Sequence, residues 1–407
     1  MGSAVGIIRG PRVTMAFSFE DEMAGELAGI DSANLRRAVR EMGSPQGPRV
    51  WLEGREVLNF SANDYLGLAN HPALKEAATA AIGKFGAGAG AARLISGSQS
   101  PHHELENALA MFKGTEAALT FSSGYASALG TIPALVGQGD VVVLDKLVHA
   151  SLVDAAKLSG AKLRVCKHND LADLARLLEW AAGRGGRTLV VAESVYSMDG
   201  DLAPLLNLVE LKEQHGAWLM LDEAHATGLY GEGRRGVAEE FGVAHRVEVQ
   251  MGTLGKALGA SGGYICGSNE LIDLLRHRAR SFVFSTAPMP AQAAAARAGI
   301  EVVESAEGEE RRTRLWSLVD QLKNGLIARG WKLPVVQSAI LPLRLGAEAD
   351  AVVLSERLLE AGVFVPAIRY PTVARGEARL RITVSAAHSA DDIKKLLETL
   401  GEEKGDA

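Results

Sequence analysis

The chain has 407 residues, of which 47% are hydrophobic, so it is long enough to bury a large core and to form two or three domains. Its 43 Lys and Arg residues against 49 Asp and Glu residues give a formal net charge of -6, which argues against a nucleic-acid surface built on bulk positive charge. Two cysteines, Cys166 and Cys266, are too few for a disulfide framework and predict a reducing, cytoplasmic compartment.

The N-terminal residues predict neither a membrane anchor nor a secretory signal. No apolar run in the chain approaches the roughly 20 residues that span a bilayer, so we expect no membrane partner. Residues 1–14 carry Arg9 and Arg12 but no sustained apolar core. Met15 is an alternative start position.

Short apolar runs alternate with amphipathic stretches through the middle of the chain. The apolar runs are residues 117–121, 141–144, 188–192, 217–221, 247–251 and 263–266, with helical periodicity between them, as in residues 102–112 and 171–182. Apolar strands separated by helices predict a mainly parallel sheet that is covered on both faces. Ligands bind beyond the carboxyl ends of such strands, which is where Asp222, Lys256, Ser194 and residues 122–124 fall.

After about residue 290 the pattern predicts a smaller α/β unit. A helical stretch over residues 291–320 leads to a strand over 339–345, a helix over 349–361, a strand over 379–384 and a last helix over 391–400. We therefore expect an N-terminal segment over residues 1–62, a large domain over 63–290 and a small C-terminal domain over 291–407.

Lys256 and Asp222 together predict a pyridoxal 5'-phosphate (PLP) site. Lys256 lies in a turn with Gly255 and Gly259, where small residues leave room for a bulky cofactor, and a desolvated lysine can be the neutral nucleophile that bonds to PLP. Asp222 follows an apolar run, and a carboxylate there can keep the pyridine nitrogen protonated. A surface lysine and a helix N-cap aspartate are the alternatives for each residue alone.

Other residues after strands suit the same cofactor. Gly124 and Tyr125 open a helix after the strand over 117–121 and predict an anion site for the phosphate, to which Thr253 would add a hydroxyl. His149 could stack on the flat ring, and His225 could flank its oxygen. No metal site is predicted. Residues 86–93 lack the spacing of a dinucleotide fingerprint, which argues against a nicotinamide-dependent oxidoreductase.

Four ordered motifs resemble those of the α-oxoamine synthases, over residues from about 17 to 400. The motifs are residues 63–68 (NDYLGL), 194–201 (SVYSMDGD), 222–228 (DEAHATG) and 253–256 (TLGK). The resemblance implies the PLP-dependent aspartate aminotransferase fold (fold type I), a large domain with a mainly parallel central sheet and a smaller C-terminal α/β domain. It also implies a condensation of an amino acid with an acyl-CoA in which CO2 and CoA are lost.

Within the family, residues 368–373 (IRYPTV) and 378–381 (ARLR) most resemble the biotin-pathway member, which joins L-alanine to a pimeloyl thioester. Tyr370 stands where that member usually has proline. Members that use glycine with acetyl-CoA, glycine with succinyl-CoA or serine with a long acyl-CoA stay open. A non-catalytic partner subunit is a further alternative, against which the presence of both Lys256 and Asp222 argues.

The resemblance also implies residue roles in a homodimer. The residues implied to be catalytic are Lys256, His149 and Asp222. The implied cofactor-binding residues are Gly124, Tyr125, His149, Ser194, Asp222, His225, Thr253, Lys256 and, from the partner subunit, Thr286. Arg381 with Asn63 would bind the amino-acid carboxylate, and Arg36 and Arg369 would bind the acyl substrate.

Overall fold

The computed structural model describes residues 18–33 and 35–403, and the chain divides after Glu41 into two compact units. The start candidate Met15 lies outside the described residues. In the first unit, α1 (Phe19–Ser32) begins at Ser18, whose hydroxyl accepts the Asp21 N–H while the Asp21 carboxylate accepts the Ser18 N–H. No described residue of α1 is buried.

The second unit contains the remaining helices and strands. Up to the end of the large sheet they are β1 (Arg49–Leu52), β2 (Arg55–Asn59), α2 (Pro72–Phe85), α3 (Ser100–Lys113), β3 (Ala117–Phe121), α4 (Gly124–Leu135), β4 (Val141–Asp145), α5 (Ala150–Leu158), β5 (Lys162–Cys166), α6 (Leu171–Ala182), β6 (Thr188–Glu193), α7 (Leu205–Gln214), β7 (Trp218–Asp222), α8 (Val237–Glu240), β8 (Val249–Thr253) and β9 (Gly263–Gly267). A π-helical turn over Arg93–Gly97 precedes α3, and a 3-10 turn over Ala244–Arg246 precedes β8.

The rest of this unit is mainly helical. Its elements are α9 (Asn269–Arg278), α10 (Arg280–Val283), α11 (Pro290–Glu304), α12 (Ala306–Ile327), β10 (Ile340–Gly346), α13 (Glu348–Glu360), β11 (Val363–Phe364), β12 (Ala367–Ile368), β13 (Ala378–Thr383) and α14 (Ala390–Leu400). No helix within the described ranges is both long and apolar enough to cross a membrane.

The central sheet has seven strands in the order β3-β9-β8-β7-β6-β4-β5. The pairs from β8 through β5 are parallel, and β9 is antiparallel to both of its neighbours. The prediction of a mainly parallel sheet is therefore confirmed. The sequence did not predict β5, because this edge strand is half exposed and carries Lys162 and Arg164 instead of an apolar run.

Both faces of this sheet are covered by helices, as the apolar strands predict. In β4, Val142 and Leu144 pack with residues of α4, α5 and α9, while Val141 and Val143 face the opposite cluster. Successive strand residues point to opposite faces, so an unbroken apolar strand means two buried faces. Because β4, β6, β7 and β8 are parallel, their carboxyl ends share one edge of the sheet.

Two smaller sheets hold the remaining strands. One is the antiparallel sheet β10-β13-β12, and the other is β1-β2-β11, in which β2 pairs in parallel with β11. The helical stretch predicted over 291–320 is two helices, because Ser305 ends α11 and its hydroxyl accepts the Gly308 N–H to begin α12. The domain boundaries after residues 62 and 290 stay a prediction.

Candidate active site

A cavity of about 190 Å³ lies beyond the carboxyl ends of β6, β7 and β8 and beside the first turns of α4 and α5. Polar side chains lie there because polar residues end these strands or directly follow their apolar residues. The residues that line the cavity are Gly124, Tyr125, His149, Ser151, Glu193, Asp222, Ala224, His225, Met251, Thr253 and Lys256. Seven of the sequence-predicted site residues are among them.

Lys256 lies in the connection between β8 and β9. This turn is tight because Gly259 has φ +67° and a Cβ on it would lie 2.5 Å from the carbonyl carbon of Leu68. Lys256 Nζ is 2.8 Å from Nε2 of His225. Burial lowers the pKa of Lys256 to about 8, against the opposing effects of Asp222 and Glu193, so a substantial fraction of the amine is neutral near physiological pH.

Asp222 ends β7 and is buried. Its Oδ1 accepts the Ala224 N–H at 2.9 Å. Burial raises the pKa of Asp222, and the nearby Lys256 ammonium acts in the opposite direction. A carboxyl group in this position favours a cation beside it, because a buried anion without a partner is costly.

His149 is the N-cap of α5 and keeps an exposed face toward the cavity. Its Nδ1 contacts the Ser151 hydroxyl at 2.8 Å and accepts the Ser151 N–H at 3.3 Å, so ring and backbone are both fixed. Partial burial, with Lys256, lowers the pKa of His149. A neutral imidazole can stack on a cationic ring without charge repulsion.

The first turn of α4 lies at another side of the cavity. Ser123 caps this helix by accepting the Ala126 N–H at 3.1 Å, and Gly124 lies against Thr253. β9 approaches closely here, since a Cβ on Gly263 would lie 2.5 Å from the Gly124 nitrogen. A helix N-terminus with free N–H groups is an anion site. This location suits a phosphate, as the sequence predicts.

A chain of hydrogen bonds runs from Lys256 to Arg381. Beyond Lys256, His225 Nδ1 is 2.6 Å from the Tyr65 hydroxyl, which donates to Asn63 Oδ1 at 3.3 Å. Arg381 Nη1 donates to the same Asn63 oxygen at 3.1 Å. Burial lowers the pKa of His225 well below its ordinary value, so the ring is neutral and carries one N–H. Because the Tyr65 hydroxyl donates to Asn63, Nδ1 of His225 donates to the Tyr65 oxygen and Nε2 accepts from Lys256.

Four predicted site residues lie elsewhere. Ser194 is fully buried, with its hydroxyl 3.3 Å from the Asp222 carbonyl oxygen, and Thr286 is exposed in a single bridge to Ala92. Arg369 is partly exposed and follows β12, the strand that pairs with β13. Arg36 belongs to the first unit, where it is exposed and 3.3 Å from Asp31. The ligand roles of these residues stay predictions.

The sequence did not single out Glu193 or Tyr65. Glu193 ends β6, is the register partner of Asp222 and lines the cavity. Burial, with the nearby Asp222, raises the pKa of Glu193 to about 8. The sequence pattern that could have identified Glu193 is its position, because it is the polar residue at the end of an apolar strand and directly precedes Ser194. Tyr65 stands in the NDYLGL motif, but nothing local indicates its contact with His225, 160 positions away.

Comparison with known proteins shows the family to which the chain belongs. Residues 55–400 match the model of the family aminotransferase class I and II, and the chain belongs to that family. Among similar curated proteins is the 8-amino-7-oxononanoate synthase of Geobacter sulfurreducens, 49% identical over 93% of this chain and 96% of the relative. The same enzyme of Anaeromyxobacter dehalogenans is 49% identical over 95% of this chain and 96% of its own.

Solved structures of related enzymes are also similar to this chain. Sphingomonas wittichii serine palmitoyltransferase has a TM-score of 0.87 at 34% identity, covering 93% of this chain and 96% of its own. The 8-amino-7-oxononanoate synthase of Francisella tularensis has a TM-score of 0.73 at 28% identity, covering 84% and 96%. The fold is PLP-dependent fold type I, the cofactor is PLP, and the resemblance to α-oxoamine synthases is confirmed.

The cavity fits this cofactor chemically. It combines a buried amine, a buried carboxyl group at a strand end, an open aromatic face and a helix N-terminus, provided by Lys256, Asp222, His149 and α4. These are the groups that an aldehyde, a pyridine nitrogen, a flat ring and a phosphate need. Bound PLP supplies an electron-withdrawing ring that stabilises negative charge at the amino-acid Cα.

Proposed function

We propose that this chain condenses L-alanine with a pimeloyl thioester, releasing CO2 and the thiol carrier and forming 8-amino-7-oxononanoate for biotin synthesis. The observation that carries this proposal is the cavity with Lys256 and Asp222 in a chain that is 49% identical to named synthases over nearly its whole length. This reaction makes the protein a PLP-dependent acyltransferase.

The side chains of the site have distinct tasks in this reaction. Asp222 would hold the proton on the pyridine nitrogen, and His149 would cover one face of the ring. The Lys256 amine would bond to the cofactor in the resting enzyme and would accept the Cα proton of the amino acid, and its pKa of about 8 suits that exchange. His225, 2.8 Å away, orients the amine.

Arg381 would hold the amino-acid carboxylate. It is buried in β13, and Asn63 and Thr383 accept from its Nη1 at 3.1 Å each. A carboxylate fixed by a guanidinium lets the enzyme set which Cα bond stands perpendicular to the ring, the orientation in which orbital overlap is largest.

A serine palmitoyltransferase activity is the second candidate. It is favoured by solved structures with a TM-score of 0.87, which exceeds the 0.73 of the solved 8-amino-7-oxononanoate synthase. Sequence identity favours the first candidate, at 49% against 34%. Fold similarity reports the shared scaffold, whereas substrate choice depends on particular side chains, so the first candidate is preferred.

Release of the thiol from a panel of substrates tests the choice. L-alanine, glycine and serine are each paired with pimeloyl, acetyl, succinyl and palmitoyl thioesters, and the L-alanine and pimeloyl pair should give the highest kcat/KM. Arg369→Ala should raise KM for the pimeloyl thioester more than for a neutral acyl chain of equal length, because a distal carboxylate loses its charge partner. Highest activity with serine and the palmitoyl thioester would transfer the chain to the second candidate.

We also propose that the enzyme is a cytoplasmic homodimer. Ala92 and Thr286 form a bridge, and large apolar side chains next to both segments are exposed, Ile95 at 80% and Phe284 at 71%. Such a patch is suited to a two-fold interface. The two buried free cysteines suit a reducing compartment. Light scattering of the active enzyme tests the dimer, and a fully active monomer would exclude it.

A further inference from the structure

We infer that Glu193 is a positioning residue for Arg381 and acts through the backbone of Ser197. This inference rests on the proposed function of Arg381 as the ligand of the amino-acid carboxylate. The connecting segment is residues 194–203, named here the 194–203 turn, which joins β6 to the approach to α7.

The 194–203 turn is closed on itself. Val195 forms a bridge with Leu202, and the Tyr196 N–H donates to the Asp201 carbonyl at 3.0 Å. At its tip Gly200 has φ +70°, and a Cβ there would lie 2.5 Å from the Ile340 carbonyl oxygen. The turn is therefore a preformed unit that packs closely against β10.

The turn contacts two arginines of β13. The Ser197 carbonyl oxygen accepts from Arg381 Nε at 2.5 Å, and Asp199 Oδ1 accepts from Arg379 Nη1 at 2.6 Å. Arg379 and Arg381 are two residues apart on one strand, so their side chains point to the same face. The orientation of the Arg381 guanidinium thus depends on where the turn places the Ser197 carbonyl.

Glu193 fixes the other side of the same peptide segment. Its carboxyl group accepts the Ser197 N–H and also the His149 N–H. Only 2% of Glu193 is exposed, so removal of the carboxyl group would take the acceptor away from these N–H groups at a buried position. One buried side chain therefore links the residue that stacks on the cofactor with the turn that holds Arg381.

Binding of an amino acid and of its decarboxylated amine separates this role from a merely structural one. Cofactor-loaded protein is titrated with L-alanine and with ethylamine, without a thioester, and the change in cofactor absorbance is followed. Glu193→Ala should weaken L-alanine binding by roughly 10- to 100-fold more than ethylamine binding, because ethylamine has no carboxylate for Arg381 to hold. In an Arg381→Lys background the same change should add little, since both substitutions remove one interaction.

Two further variants test the role of Glu193. Glu193→Gln keeps the shape and one carbonyl oxygen, so it should fold even if the alanine variant does not and should show a smaller preference change in the same direction. Glu248→Gln is the control, because Glu248 also accepts a backbone N–H, from Leu219 at 2.8 Å, at the opposite end of the sheet. It should leave both affinities unchanged.

Equal weakening of L-alanine and ethylamine in the Glu193 variants, or no change in either, would overturn the inference. An error in the proposed substrate is distinguishable from this failure. If the substrate panel favours glycine or serine, the matched amine becomes methylamine or ethanolamine, and the comparison is made with that pair.

Discussion

Lys256 is the residue whose reactivity depends most directly on its surroundings. Burial lowers its pKa to about 8, and only the neutral amine is a nucleophile. The rate at which PLP attaches to the cofactor-free protein should therefore fall about tenfold for each pH unit below that pKa and level off above it. Stopped-flow absorbance measures this profile.

Peptide mapping after borohydride reduction provides the control for this prediction. The reduced cofactor should be on Lys256, and Lys256→Ala should carry none. The pH values about 6 and about 9 lie roughly one unit or more on either side of this pKa. An attachment rate that is unchanged between them would show that deprotonation of the Lys256 amine does not govern attachment. Reduced cofactor on another lysine would show that Lys256 is not the residue that bonds to PLP.

Asp222→Asn should leave PLP bound but lower kcat by about 10² to 10³, the usual effect of losing one charge-assisted contact in a transition state. An amide cannot balance the charge of a protonated pyridine nitrogen, so the ring withdraws electrons less strongly. The measurement is kcat together with cofactor content. Asp273→Asn, at a side chain that is 67% exposed, is the control and should behave as the natural protein. Near-normal turnover of Asp222→Asn would mean that Asp222 is not the pyridinium partner.

Residues that end apolar strands were predictable, and residues that meet across the fold were not. Asp222 and Lys256 follow apolar runs, and the topology of a parallel sheet brings such positions together. Glu193 was missed although it directly follows the apolar run over 188–192, because the motif that resembles the α-oxoamine synthases begins one position later, at Ser194. Tyr65 reaches His225 only through tertiary packing, which no periodicity encodes.

At the scale of elements, apolar periodicity predicted the central strands to within one or two residues. It failed at β5, whose exposed side chains remove the apolar signal, and within residues 291–320, where the Ser305 cap interrupts an otherwise continuous helical pattern. The two-residue strands β11 and β12 were also missed, because strands of this length depend on their pairing partners and have no pattern of their own.

Strand β4 provides a test of how the sheet core contributes to stability. Leu144 has no exposed surface and packs in the cluster beneath α4 and α5. Leu144→Ala should lower the free energy of unfolding by about 2–5 kcal/mol through lost burial and the cavity left behind. Urea denaturation of the cofactor-loaded protein measures it.

Leu158→Ala is the matched control for Leu144→Ala. Leu158 lies at the end of α5 and is 63% exposed, so the same substitution should change the free energy of unfolding by less than about 0.5 kcal/mol. Similar losses in both variants would contradict the assignment of the stabilising contacts to the buried face of the sheet.

At the scale of the whole molecule, the site depends on two sheets together. The central sheet provides Glu193, Asp222 and the turn that carries Lys256, while β13 of a smaller sheet provides Arg381. The sequence singled out Asp222, Lys256 and Arg381, each within a short motif, but not Glu193. The sequence could not predict how they are joined, since the Asp199 contact with Arg379 connects positions 180 residues apart.

The most direct measurement of the central claim follows the carboxyl carbon of the amino acid. The enzyme is supplied with L-alanine carrying 13C in its carboxyl group and with pimeloyl-CoA, and CO2 and CoA are measured together. Decarboxylative condensation predicts one labelled CO2 for each CoA released and an amino ketone without the label. Release of CoA with the label still in alanine would show thioester hydrolysis instead, and would contradict the account.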